Sequence, residues 1–588
     1  MRENKDHQKQ SPGRLKGRQL DDQALEKVQR LLGVGPLRRD LLIEYLHRIQ
    51  DQYGGLSSAN LAALADLMKL SQAEVFEVAS FYHHFKILED GQSPPSLIIR
   101  VCDGLSCSLS GAESLISEIQ GLEKNSNIEI QRAPCVGRCE QAPVAVIHQN
   151  PVLFATSASV SQAVAENTRN HPSASDQGQF FLTDYIQKSV TGHCDLLAQD
   201  VNASPAYVGF DVYVKNGGYE LLRSVVTGDF KADEILQTLE HSGLRGLGGA
   251  GFPAARKWGI VRNYAAPRVM AVNIDEGEPG TFKDRTYLER DPHRFLEGML
   301  LAAHVVGIHS CYIYLRDEYH GCRALLQAEL ALLQRELSLD LPRIELRRGA
   351  GAYICGEESA MIESIEGKRG VPRMRPPYIA EVGLFGRPTL EHNFETLYWL
   401  RDILTKGAKW FSSFGRNGRV GLRSFSVSGR VKRPGVKLAP AGISVCELID
   451  EYCGGMQVGH QFYAYLPGGA SGGILPASMG NIPLDFDTLQ PYGCLIGSAA
   501  VVILSEQDRA KKAAATTMRF FAHESCGQCT PCRVGTEKAT QLMRVDSWDW
   551  QTLLDISQVM ADASICGLGQ AAPNPIRCIH QYFKDEDV

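Results

Sequence analysis

The sequence is short of several things at once, and each shortage removes a class of function. No apolar run reaches the ~20 residues that a membrane-spanning helix needs. The longest candidate, Met299 to Leu315, is interrupted by His304, Gly307, His309 and Ser310 and reads as buried core, so no membrane partner is expected. No apolar stretch follows the early charges of MRENKDHQKQ, so export is not expected and the expectation is a cytoplasmic chain. Charge of one sign is not in excess: the net charge is -6 and the pI near 6.3, which offers nucleic acid no general attraction. A disorder signature is missing too, with 44% hydrophobic and 22% charged residues, and no tandem repeat recurs at a fixed period.

What is present is a chain of 588 residues, more than one hydrophobic core usually serves. The pattern divides it into a basic tail at 1–20, a helical bundle at 21–90, a small α/β domain at 91–166 and a polar linker at 167–205. A larger α/β domain at 206–415, a Gly/Pro/Val-rich domain of short strands at 416–504 and a helical domain at 505–588 complete the expected multidomain α/β chain. In the bundle, Leu61, Leu64, Leu67 and Met68 share one stripe and Gly54-Gly55 breaks the pattern. In the small α/β domain, Ser96 to Val101, Ile128 to Gln131 and Pro143 to His148 read as strands, with a helix at Gly111 to Gln120.

The sixteen cysteines carry the strongest chemistry. In a reducing compartment, clustered thiols serve as metal ligands more often than as disulfides. Cys526, Cys529 and Cys532 form C-x2-C-x2-C within ESCGQCTPCR, and Cys566 is available as a remote fourth. Three successive thiolates and a distant one suit a [4Fe-4S] cluster, whereas zinc sites typically pair two knuckles. Cys578 is a spare thiol that reads as buried. Cys102 and Cys107, then Cys135 and Cys139, place two pairs at strand ends, a set open to either a [2Fe-2S] cluster or zinc. The scattered cysteines, Cys194, Cys311 and Cys494 among them, read as packing residues.

Three glycine-rich stretches follow. RGLGGAGFP, Arg245 to Pro253, satisfies G-x-G-x-x-G, but the segment before it, Ala232 to Gly243, looks helical and the strand Arg268 to Ile274 comes afterwards, which disfavours an ordinary dinucleotide fingerprint. The glycines still supply a loop whose N–H groups can face a phosphate or a flat ring, with Lys257 near. VNIDEGEPGTFKDR ends a strand in carboxylates, and GAGAYICGEES sets Glu357 and Glu358 after glycines. Carboxylates beside an anion site call for hydroxyl or amide partners on the ligand, such as ribose or a flavin edge.

RGLGGAGFP, VNIDEGEPGTFKDR, GAYICGEES, HNFET and ESCGQCTPCR, in that order, resemble the flavin subunit of respiratory complex I from about Gly209 to the C-terminus, and Asp21 to about Asn167 resembles its small thioredoxin-like [2Fe-2S] subunit. The fusion is similar to the diaphorase subunit of soluble NAD-reducing [NiFe]-hydrogenases, with NAD-dependent formate dehydrogenases related. The resemblance implies a helical bundle with a thioredoxin-like [2Fe-2S] domain, a Rossmann-like FMN/NADH domain, a β-grasp domain and a C-terminal helical [4Fe-4S] domain.

It also implies that FMN is held by Gly246, Gly248, Lys257, Asn273, Asp275, Tyr353, Gly356, Glu357, Asn393 and Thr396. Nicotinamide nucleotide would stack between the flavin and Phe252 and Tyr378, with Glu278 and Glu358 on its amide or ribose groups and Arg375 on its phosphates. Glu358 near the ribose implies NAD rather than NADP. The chain departs from the family at His392, where Asn is usual, at Leu247 for Arg and at Ile260 for a second stacking Phe. The implied function is a diaphorase that passes electrons between NAD(H) and the clusters through FMN. The implied partners are an iron–sulfur electron-transfer subunit and [NiFe]-hydrogenase subunits, with formate dehydrogenase or complex I as the alternative. Hydride transfer of this kind needs no acid or base side chain. A non-enzymatic scaffold stapled by zinc is the competing class.

Overall fold

The computed structural model describes residues 17–125, 127–176 and 206–587. Most of the basic tail, most of the linker and Cys194 lie outside them. The chain divides into two compact units, Met1–Pro94 with Gly367–Arg369, and Pro95–Glu366 with Gly370–Val588.

Among its described residues the first unit holds four α-helices, α1 (Asp22–Leu32), α2 (Leu42–Tyr53), α3 (Ser58–Met68) and α4 (Gln72–Phe81). Side-chain caps start three of them: Asp21, Ser57 and Ser71 accept from backbone N–H groups three residues on, each contact stabilising its helix by about 1 kcal/mol. Gly54 stops α2 at φ 75°, the left-handed end that glycine adopts without steric cost. Leu61, Leu64 and Met68 are buried, but so are Ala62, Ala63 and Ala65, so α3 is enclosed nearly all round while Leu67 is only half-buried. A parallel pair of two-residue strands, β1 (Leu56–Ser57) and β2 (Ile87–Leu88), is too short to show as a pattern in sequence.

The described residues of the second unit form three sheets. In the first, β3 (Leu97–Cys102) lies parallel to β4 (Ile128–Ala133) and antiparallel to β5 (Ala145–Ile147), which pairs with β6 (Asn150–Val152). The helix Ala112–Ile119 packs Leu115, Ile116 and Ile119 onto Ile99, Val101 and Ile147 of this sheet. This is the thioredoxin-like domain.

The second sheet is wholly parallel, in the order β10-β7-β8-β9, from β7 (Arg268–Ile274), β8 (Ile308–Leu315), β9 (Arg343–Arg348) and β10 (Thr389–Asn393). Met299 to Leu315 splits across a buried helix, Pro292–Val306, and β8, with Gly307 at φ 72° making the turn. Strand order reverses between β7 and β10. Their carboxyl ends therefore open a crevice, the place where open parallel sheets bind ligands.

The third sheet runs β12-β11-β15-β13-β14, built from β11 (Leu422–Gly429), β12 (Gly435–Pro440), β13 (Phe462–Leu466), β14 (Leu475–Pro476) and β15 (Ala500–Ser505). It is mixed: β11 and β15 pair in parallel, the β11–β12 hairpin is antiparallel, and a helical turn at Val445–Tyr452 crosses between β12 and β13. This is the β-grasp domain. Five helices from Ala510 to Tyr582 finish the chain.

Candidate active site

A cleft of about 500 Å³ opens at the β7–β10 crevice. Gly246, Gly248, Phe252, Lys257, Asn273, Asp275, Glu278, Tyr353, Gly356, Glu357, Glu358, Arg375 and Asn393 all line it. Most of the residues singled out from sequence thus converge from five separate stretches of chain.

The glycine loop enters ahead of a helix and not behind a strand. An antiparallel bridge between Arg245 and Pro253 closes it, and the helix Ala254–Arg262 leads into β7. Its glycines are there for room. A Cβ on Gly248 would stand 2.9 Å from Cβ of Asn393, and Gly251, at φ 66°, faces the Phe486 ring. Thr396 does not line the cleft; its hydroxyl accepts from the N–H of Leu247 at 2.9 Å and so pins the loop from behind.

Asn273, one residue before the end of β7, and Asn393, the last of β10, are register partners. The Asn273 amide donates to Gly356 O at 2.9 Å, and the Asn393 amide donates to Asp284 at 2.7 Å while its carbonyl caps Glu395 N–H at 3.0 Å. Asp275 follows β7. Its Oδ2 is shut off from solvent with no hydrogen-bond partner among the described residues, and burial holds the carboxyl well above the usual carboxylate range. An orphan carboxyl oxygen in a cleft wall is what a polar group of a ligand satisfies, as donor or acceptor. The wall therefore fits a polar heterocycle such as FMN.

Other assigned groups have protein partners already. Glu357 caps the helix Glu358–Ile365 through Ser359 N–H and Ala360 N–H, and its second oxygen accepts from Arg375. Arg375, assigned by resemblance to phosphates, also pairs with Glu358 at 2.8 Å. Lys257 donates to Glu391 O at 3.0 Å and pairs with the Glu391 carboxylate at 3.1 Å. Phe252 presents its ring to the opening at 38% exposure, and Tyr378 stands 60% exposed outside the lining residues. Ile260 is 37% exposed and Leu247 is buried.

His392, the departure from Asn, is buried beside Trp258, whose indole N–H donates to its Nε2 at 2.6 Å. Indole can only donate, so Nε2 accepts and the neutral ring carries its proton on Nδ1. Burial, with Lys257 adding to it, pushes the ring well below the ordinary histidine range and keeps it neutral.

Sequence reasoning missed part of the lining. Lys283 and Asp284 lie within VNIDEGEPGTFKDR yet were not singled out; they form a buried pair at 2.6 Å, joined by Glu395 at 3.1 Å. Burial alone would lower the Lys283 pKa, but Asp284, Glu395 and Glu276 outweigh it and keep the ammonium charged. Ser471, Leu495, Gly497 and Ser498 reach the cleft from the β-grasp domain. The glycine density of PGGASGG, beginning at Pro467, was the available signal.

Cys526, Cys529, Cys532 and Cys566 line one small cavity together with Ile354 and Leu568, which also line the cleft. The two cavities share a wall. Cys529 and Cys566 stand immediately before helices Thr530–Leu542 and Gly567–Ala571. Cys578 is elsewhere, buried with its Sγ 3.5 Å from that of Cys494.

Cys102, Cys107, Cys135 and Cys139 are all buried, with the Cys135 and Cys139 sulfurs 3.3 Å apart and the Cys102 thiol beside both Cys107 and Cys135. Cys102 is the last residue of β3, paired with Ala133 at the end of β4, so register alone brings the two loops together. The Cys135 loop rests on the acidic loop after β7: Arg316 donates to Cys135 O and to Glu276 O, and Tyr319 donates to Glu276 at 2.8 Å. Burial, with the Asp284 charge behind it, pushes the Glu276 carboxyl up to about 7. Two all-thiol sets fit iron–sulfur clusters by donor chemistry.

Residues 239–402 match the Nuo51 FMN-binding domain, residues 28–168 the thioredoxin-like [2Fe-2S] ferredoxin, and residues 512–587 the NADH-ubiquinone oxidoreductase-F iron-sulfur binding region. The second F-type subunit of NADH-quinone oxidoreductase from Rhizobium meliloti (strain 1021) is 38% identical over 64% of this chain and 93% of its own length. The F-type NADH-quinone oxidoreductase subunit of Rickettsia typhi (strain ATCC VR-144 / Wilmington) is 39% identical over 60% of this chain and 88% of its own. A solved NAD+-reducing [NiFe]-hydrogenase in the H2-reduced state is 30% identical with a TM-score of 0.78, covering 93% of both chains. No helix among the described residues is long and apolar enough to cross a membrane. The chain belongs to the family of F-type NADH-quinone oxidoreductase subunits, as an NAD-dependent oxidoreductase subunit with an FMN domain and both [2Fe-2S] and [4Fe-4S] regions on one polypeptide.

Proposed function

We propose that the chain is the diaphorase subunit of a cytoplasmic NAD-reducing [NiFe]-hydrogenase, exchanging electrons between NAD(H) and partner subunits that oxidise hydrogen. The observation that carries this reading is coverage: the likeness to the NAD+-reducing [NiFe]-hydrogenase structure extends over 93% of this chain, whereas the likeness to the Rhizobium F-type protein spans 64%. An iron–sulfur electron-transfer subunit and the [NiFe] subunits are the partners in this reading.

Bound FMN would exchange a hydride with the nicotinamide and single electrons with iron–sulfur clusters. The protein's part is position and electrostatics. Gly246 and Gly248 leave room for the flat ring, and Asn273, Asp275, Tyr353, Gly356 and Asn393 present polar groups to it. Phe252 offers a stacking face for the nicotinamide nucleotide, and Glu278 receives its amide or ribose hydroxyls. Glu358 and Arg375 form an ion pair at the same rim, where the carboxylate disfavours a 2'-phosphate and the guanidinium serves the pyrophosphate. Glu357 and Thr396 hold the helix and loop that shape the floor. Cys526, Cys529, Cys532 and Cys566 would hold the [4Fe-4S] cluster and so supply one-electron chemistry next to the cleft, since Ile354 and Leu568 line both cavities. Cys102, Cys107, Cys135 and Cys139 would hold the [2Fe-2S] cluster.

The test is purification of the native complex, followed by supply of hydrogen or formate with NAD. Hydrogen-dependent NADH formation with nickel present is expected. Reduction by formate alone, with molybdenum and no nickel, or co-purification with membrane subunits of complex I, would replace the hydrogenase reading.

A further inference from the structure

Glu278 is held from two sides, and both tethers lead to the helical domain that carries the cluster cysteines. Its Oε1 accepts from the backbone N–H and from the hydroxyl of Ser471, each at 2.8 Å. Its Oε2 accepts from the Tyr353 hydroxyl. Ser471 belongs to the β-grasp domain, and its carbonyl accepts from the side-chain amide of Asn574 at 2.9 Å, at the start of the helix Asn574–Tyr582. The backbone N–H of Tyr353 donates to Glu524 at 2.9 Å, at the end of the helix that precedes Ser525 and Cys526.

The Ser471 loop has little freedom. Gly469 sits at φ 76°, where an added Cβ would stand 2.7 Å from Cγ of Glu278, and its N–H is tied to Ala500 O of β15 at 2.8 Å. Leu495 N–H holds Gly472 O at 3.1 Å. Ser471 itself lines the cleft, as do Gly567, Leu568 and Ala571 from the segment just ahead of Asn574. A carboxylate with both oxygens engaged by fixed donors keeps one orientation. A ligand that bonds to its one remaining acceptor position then orders little further side-chain freedom on docking.

We propose that Ser471 and Asn574 are positioning residues for the nicotinamide end of the cleft, acting through Glu278, so that the β-grasp and cluster-bearing domains together set the geometry in which NADH is received. The proposal rests on the reading that Glu278 serves the nicotinamide nucleotide. Ser471 fixes the carboxylate directly, and Asn574 fixes the Ser471 loop. The acceptor site and the domain at the electron exit are thus parts of one hydrogen-bonded frame.

Steady-state kinetics with an artificial acceptor, and equilibrium titration of the flavin absorbance with NAD+, test this in the full chain with its cofactors. Ser471→Ala and Asn574→Ala should each raise KM for NADH and Kd for NAD+ several-fold, with kcat changed by less than twofold and FMN and iron content as in the parent. Ser471→Thr, which keeps the hydroxyl and the N–H, should restore parental values. The Ser471→Ala effect should also vanish in a Glu278→Ala background, because the acceptor through which it acts is then gone. Parental KM and Kd in both alanine variants, or loss of FMN or iron in step with the kinetic change, would overturn the proposal. An altered Glu278→Gln variant beside silent Ser471 and Asn574 variants defeats this inference alone, whereas a silent Glu278→Gln variant defeats the reading beneath it.

Discussion

Asn273 and Asn393 are register partners on adjacent parallel strands, and both line the cleft. Sheet pairing holds the two amides side by side although the segments that carry them are far apart in sequence. Asn393 also caps the helix Phe394–Tyr398. Asn393→Ala should therefore lower stability by about 1 kcal/mol through the lost cap and reduce FMN content as well. Flavin absorbance per chain, read beside the melting temperature, separates the two: a lower Tm with full flavin would leave Asn393 only its capping role.

The four thiols behind Ile354 and Leu568 predict a separable cluster. The holo chain should contain about six iron atoms, four in one cluster and two in the other. Cys529→Ser should leave about two iron atoms, abolish the [4Fe-4S] paramagnetic signal and retain FMN. Zinc in place of iron in the parent would refute both assignments, and flavin loss with the signal intact would refute the layout.

His392 offers a donor where the family usually has the amide of Asn. No described residue accepts from its Nδ1–H, and the ring lies in the cleft wall. His392→Asn should bind FMN close to parental affinity, whereas His392→Ala should weaken it up to about tenfold, the worth of one hydrogen bond. Trp258→Phe removes the group that selects the tautomer and should fall between them. Reconstitution of apoprotein with FMN, followed by flavin fluorescence, measures all three; equal affinity for the Asn and Ala variants would exclude a role for Nδ1–H.

Glu276 predicts a pH dependence of stability. Its folded pKa lies near 7, above the ordinary value of 4.5, so its favourable contribution is complete below about pH 4.5 and is lost as pH rises through 7. The gap in Tm between the parent and Glu276→Gln should therefore shift against the parent from pH 5 to pH 8. A gap that stays constant across that window would mean that Glu276 does not titrate there.

The residue patterns by themselves marked the clustered cysteines, the glycine loop, the carboxylates after β7 and the extent of β7 itself, because each shows in local stretches whose spacing or composition carries the chemistry. Cys526, Cys529 and Cys532 must share a loop whatever the fold. Arg268 to Ile274 must be extended because a run of small and β-branched residues between turn signals has few other uses. Resemblance to the family extended this to Asn393 and Thr396, which no local pattern marks.

Tertiary structure decided which groups face the cleft and which are already engaged. Thr396 turned out to brace the glycine loop from behind, Glu357 to cap a helix, and Arg375 to pair with two carboxylates. Ser471, Lys283 and Asp284 joined the cleft without having been singled out. The reason is physical. A hydrogen bond or ion pair between residues remote in sequence depends on distances of a few ångströms that sheet register and domain packing impose, and those distances leave no trace in local spacing or periodicity.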